Sequence, residues 1–175
     1  FSAVNGKHFD IYVCKQVGRK GKTRWSMPDN VNGLNSKEQE MFASFSPDGQ
    51  TIYLVSIRKT GFGGEDIYSS VKLSENKWAK PINLGPTINT PYNEETPFMS
   101  KDGATFYFSS DGHKTMGGLD IFYSTYENGT FSEPENIGIP INTTFDDTGF
   151  ILNADETIGY YASSKEKKYG ENDIF

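Results

Sequence analysis

The chain has 175 residues, a net charge of −6 and one cysteine. The acidity argues against a nucleic-acid partner, which needs clustered Lys and Arg to neutralise phosphates. The lone Cys14 excludes an internal disulfide, and no apolar run of about 18 residues is present to cross a membrane as a helix. With 13 Phe, 10 Tyr and 18 Gly, the composition favours strands and turns over helices.

In chain order, Phe1-Ser2-Ala3 reads as the tail of a strand, because it aligns with Phe108-Ser109-Ser110 further on. Phe9-Asp10-Ile11-Tyr12 begins the next strand. Cys14 adjoins it, and the expectation is a buried, inert thiol. A lone thiol fits a reducing compartment or a large exported protein that does without disulfides. The basic runs Arg19-Lys20-Gly21-Lys22 and Lys165-Glu166-Lys167-Lys168 sit in loops and read as solvated turns. Phe42–Ser46 is a short strand ending in a Pro-Asp-Gly turn, whose residues supply a preset φ, a local side-chain hydrogen bond and tolerance of positive φ. Thr51–Ser56 follows, rich in β-branched and aromatic residues. A Gly-rich loop then leads to strands at Asp66–Val71 and about Lys77–Leu84. The same four recur at Thr96–Ser100, Thr105–Ser110, Asp120–Tyr126 and Thr130–Ile137.

The recurrence is a repeat. Asp10, Asp66, Asp120 and Asp173 lie 56, 54 and 53 residues apart, each followed by Ile and an aromatic residue. Trp25, Trp78 and Phe131 each stand three residues before a proline. Asn35, Asn89 and Asn142 keep the same step, as do the acids Glu40, Glu94 and Asp147. The last copy departs at Glu156, where the turn glycine stands in the others, and at Gly159, which replaces Ile52 and Phe106. Four strands in a repeat of this length mark a β-propeller blade. The reading is an all-β fold, a β-propeller fragment of four-stranded antiparallel blades. Its parts are a partial blade over 1–41, complete blades over 42–93 and 94–146, and a partial blade over 147–175, all one domain continuing beyond both ends.

The series Ser46-Pro47-Asp48-Gly49, Gly63-Gly64-Glu65-Asp66-Ile67-Tyr68, Trp78 with Pro81 and Asn83-Leu84-Gly85, and Ile88-Asn89-Thr90 resembles the TolB-like, WD-type propeller repeat over essentially the whole chain. The copy with Met116-Gly117-Gly118-Leu119-Asp120-Ile121-Phe122 and Pro134-Glu135-Asn136-Ile137-Gly138 is most similar to propellers of bacterial envelope proteins. Those are often lipoproteins with tetratricopeptide repeats before the propeller and an OmpA-like, peptidoglycan-binding domain after it, and some serve type IX secretion and gliding. The resemblance implies a periplasmic, outer-membrane-associated protein that docks envelope proteins, meeting peptidoglycan only through a domain outside this chain.

Candidate site residues follow from the repeat. A carboxylate at Asp10, Asp66, Asp120 and Asp173 can bind a cation or accept backbone N–H bonds across its loop; recurrence in every blade favours the structural role. Trp25, Trp78 and Phe131 are expected to pack between blades rather than stack on sugars. Glu40, Glu94 and Asp147 precede the strand that lines a propeller channel, where they either form a ligand-binding ring or make capping bonds within their blades. Glu94-Glu95 and Asp146-Asp147 are adjacent carboxylates, but neighbours in a strand point to opposite faces, so neither pair converges alone. His8 and His113 are the only histidines, and no nucleophile motif occurs. The expectation is therefore no enzyme, no metal, no cofactor and no direct membrane insertion. Two other functions stay open: a carbohydrate- or peptide-binding propeller, and the accessory propeller of a serine peptidase whose catalytic domain lies elsewhere.

Overall fold

The computed structural model describes residues 1–6, 8–19, 21–75, 77–166 and 170–175. Among these there is no helix, and so none that could cross a membrane. Four small antiparallel sheets follow one another along the chain, each a blade. The first joins β1 (Ser2–Asn5), β2 (His8–Val13) and β5 (Asp29–Asn30), with a separate hairpin of β3 (Gln16–Arg19) and β4 (Lys22–Trp25). The second is β6 (Glu40–Phe45), β7 (Thr51–Ser56), β8 (Asp66–Ser74), β9 (Lys77–Trp78) and β10 (Ile82–Asn83). The third repeats it with β11 (Glu94–Met99), β12 (Thr105–Ser110), β13 (Asp120–Glu127), β14 (Thr130–Phe131) and β15 (Glu135–Asn136). The fourth has β16 (Asp147–Leu152), β17 (Gly159–Ser163) and β18 (Asp173–Ile174).

The expected fourth strand of each blade is not one run. It is two short pieces either side of Pro81 and of Pro134, because proline donates nothing to a ladder. Both pieces pair with the same third strand, β9 and β10 with β8, and β14 and β15 with β13. The first strands begin at the acids Glu40 and Glu94, two residues before Phe42 and Thr96.

The reason lies at Phe42, Thr96 and Gly149. Each stands two residues after the acid and has positive φ, of 41°, 50° and 67°. In all three strands a register shift marks the spot, between Met41 and Ala43, Glu95 and Phe98, and Thr148 and Ile151. A bulge there turns the strand and re-aims the residues before it. Phe42 and Thr96 take up a backbone that side chains with a Cβ rarely adopt, so the blade frame must hold them in it.

The core lies between blades. Ile52, Leu54 and Tyr68 of the second blade meet Ile11, Val31 and Leu34 of the first, all buried. Tyr53, Val55 and Ile67 meet Phe106, Phe108 and Phe122 of the third, with the Tyr53 and Phe106 ring centroids 4.9 Å apart. Alternate residues of β7 therefore serve opposite neighbours, as a strand buried on both faces requires.

One expectation about a single residue needs correction. Cys14 is half-buried and lies just beyond β2, where the chain breaks its pairing before β3. Arg19 and Lys22 are exposed and paired at the turn of the β3–β4 hairpin, as expected of a solvated turn, while Lys20, Lys167 and Lys168 lie outside the described residues.

Candidate functional site

One row of residues recurs at the same end of each sheet. Glu40 pairs with Ser56, and Ser56 with Asp66. Glu94 pairs with Ser110, and Ser110 with Asp120. Asp147 pairs with Ser163, and Ser163 with Asp173. The sequence repeat thus brings both sets of candidate acids to one end of the blade, with a serine between them.

Glu40, Glu94 and Asp147 are each 0% exposed. Each bonds within its own blade and the connector before it. Glu94 accepts from Thr90 N, Thr90 Oγ1 and Ser110 Oγ, all at 2.7 Å. Glu40 accepts from Ser36 N at 2.9 Å, Ser36 Oγ at 2.6 Å and Ser56 Oγ at 3.1 Å. Arg58 adds Nε and Nη2 to the same carboxylate, both at 3.1 Å, and also donates to Leu34 O. Asp147 accepts from Thr143 N and Oγ1, at 2.6 and 2.9 Å. One methylene shorter than its counterparts, it makes no bond to Ser163, and its Oδ1 is buried without a partner. Burial pushes the Glu94 carboxyl up from its ordinary value, against its hydrogen bonds.

The repeated aspartates close the loop before the third strand. Asp120 accepts from Met116 N at 2.6 Å and Asn136 Nδ2 at 2.8 Å, and Asp66 from Phe62 N at 2.9 Å. Both are 0% exposed, with Oδ1 buried and unbonded. Gly61 is needed here, because a Cβ on it would stand 1.7 Å from Asp66 Oδ2. Asp10 accepts from Asn30 Nδ2 at 3.5 Å, and Asp173 is half-buried in β18. Trp78 packs in the core shared with the first blade, and Phe131 against that between the second and third. Trp25 is 69% exposed on the β3–β4 hairpin, which pairs apart from the first sheet.

The loop face also holds carboxylates that do not recur. Glu94 and Glu95 turn apart, and Glu95 meets Glu65 of the preceding blade. Burial, then the charge of Glu65, push Glu95 up to about 7, with Asp111 and Asp146 adding to it. Burial raises Glu65 as well. Glu65 N donates to Asn93 Oδ1, and Asn93 N donates to Asp111 Oδ1. Asp146 accepts from Leu119 N at 3.0 Å and is exposed. Repeat-based reasoning passed over Glu65, whose counterparts Phe9 and Leu119 are apolar, and weighed Glu95 only as the neighbour of Glu94. Among the described residues no group of three or more His, Cys, Asp or Glu is placed to hold a metal ion.

Blades of this kind, stacked through apolar faces with loops gathered at one end, define a β-propeller. TolB from Acinetobacter baumannii has the same fold, with a TM-score of 0.57 and 19% identity over 99% of this chain and 36% of that one. A protein assigned as a 6-phosphogluconolactonase from Bacteroides uniformis matches at 15% identity and TM-score 0.44, over 87% of this chain and 40% of that one. The periplasmic gluconolactonase PpgL from Pseudomonas aeruginosa matches at 12% and 0.46, over 89% of this chain and 43% of that one. No family model and no curated protein matches the chain. It spans less than half the length of each of these three structures. The expectation that the chain is not an enzyme is corrected by this comparison: two of the three neighbours are named as lactonases. At such identity the likeness is one of fold, and it brings no substrate or catalytic residue to this chain.

Proposed function

We propose that the chain is a protein-docking propeller module of a bacterial cell envelope, working in the periplasm. A lipid anchor at the outer membrane, an OmpA-like domain that meets peptidoglycan outside this chain, and service in type IX secretion belong to the same reading. The repeat's resemblance to envelope propellers supports it, as does the fold shared with TolB. The observation that carries it is the gathering of Glu65, Glu95, Asp111 and Asp146, from two successive blades and the connector to the next, at one end of the frame. Loops on such a frame are where a propeller's recognition surface sits. Their charge suits a partner with a basic face.

The test is co-purification of the tagged full-length protein from envelopes of its own host. Glu65→Lys with Asp146→Lys is expected to release the co-purifying partner, and Lys77→Glu, far from the loop face, to keep it. Equal recovery with both variants would count against docking through this face.

A further inference from the structure

A cleft of about 480 Å³ opens between the second and third blades, at the end of the strands away from the buried acids. That volume lies in the range of small-ligand sites. Met99, Tyr53, Tyr126 and Phe131 form the apolar and aromatic part of a mixed lining that includes Ser46, Thr51, Ser69 and Asn83, and Asp48 and Asp102 also line it. None of its lining residues is Lys, Arg or His.

The two carboxylates are fixed and charged. Asp48 Oδ1 accepts from Ser46 Oγ at 2.6 Å and Gln50 N at 2.9 Å. Asp102 Oδ1 accepts from Ser100 Oγ and Ala104 N at the same two distances. These bonds hold both groups below the usual carboxylate range. Neither takes part in an ion pair among the described residues.

Tyr53 supplies a second, independent observation. Its side chain is 4% exposed, it lines the cleft, and its hydroxyl makes no hydrogen bond to any described residue. A phenol that lines the cleft with no partner among the described residues can bond a ligand there as donor or acceptor. Tyr126 and Phe131, with centroids 4.6 Å apart, provide ring faces beside it. Aromatic faces attract a cation, and ionised carboxylates bond it more strongly than neutral acceptors do.

We propose that this cleft binds the basic side chain, lysine or arginine, of a peptide segment, with its alkyl stem on Tyr126 and Phe131 and its charge between Asp48 and Asp102. The site is at the opposite end of the molecule from the docking face and stands whether or not that face binds a protein.

The test is an NMR titration of the whole chain with capped pentapeptides of glycine carrying one central lysine, arginine or norleucine. Saturable shifts at Gly103, Tyr126 and Phe131 are expected with lysine or arginine, and about tenfold weaker binding with norleucine. Asp48→Asn combined with Asp102→Asn keeps the Oδ1 acceptors of both turns, so the fold should survive, and a melting curve checks that it does. This variant should lose about tenfold in affinity for the basic peptides. Norleucine binding as tight as lysine, undiminished binding in the folded variant, or no saturable shift with any peptide would overturn the proposal.

Discussion

Asn89 grips the Ile67 peptide at both ends, accepting from its N–H and donating to its C=O, each at 2.8 Å. Asn142 does the same to Ile121, at 2.9 and 2.8 Å, and Asn35 to Ile11, at 2.8 and 2.9 Å. In each case a connector leaving the blade is stitched back to the third strand of that blade. Asn89→Ala leaves a buried donor and acceptor unpaired, each costing about 1–3 kcal/mol. Urea denaturation should show a loss in that range or above, with the slope unchanged. An unaltered midpoint would mean that water replaces the amide at no cost.

Asp120→Ala removes the acceptor for Met116 N and Asn136 Nδ2. A loss of about 1–3 kcal/mol is expected. An unchanged melting temperature would point instead to a carboxylate kept for something it binds.

Arg58 is the partner of a wholly buried Glu40, with side chains 12% and 0% exposed. Arg58→Met leaves the Glu40 charge without its cation and should cost roughly 3–5 kcal/mol. Glu40→Gln added to Arg58→Met should recover part of that, because the buried charge is gone. A double variant no more stable than Arg58→Met would show that the arginine acts through its bond to Leu34 O or its contact with Tyr68.

Glu95 gives the chain a pH dependence of predictable sign. Its pKa is raised from 4.5 to about 7, so the folded state holds the proton more tightly than the unfolded state. That contribution is fully present below about 4.5 and is lost as the pH rises through about 7. Glu65, Glu94 and Asp66 are raised too, so the term is isolated by comparison with Glu95→Gln. The melting temperature of the natural chain should fall relative to the variant between about pH 5 and pH 8. Parallel curves would show that Glu95 titrates as an ordinary exposed acid.

Whatever recurs every blade could be read from the chain, and whatever is private to one junction could not. The steps of Asp66, Asn89 and Glu94 expose the blade because each blade solves the same loop-closing problem. The partners of those residues were hidden, since Thr90 to Glu94 and Asn89 to Ile67 are bonds of loop geometry rather than of spacing. Proline breaks the fourth strand in a way that an unbroken β-prone run conceals. The Glu65–Glu95 contact and the Tyr53 cleft arise only when two blades meet, with Leu119 standing where Glu65 stands one blade earlier.

Site-resolved photo-crosslinking in the native envelope tests the docking claim most directly. A photoreactive residue replaces Glu65, Asp146, Asp48 or Glu135, which sample the loop face, the opposite end and the outer strand. The account predicts one common protein adduct from positions 65 and 146, and none of that adduct from position 135. The same adduct at equal yield from position 135, or adducts from position 135 alone, would contradict it.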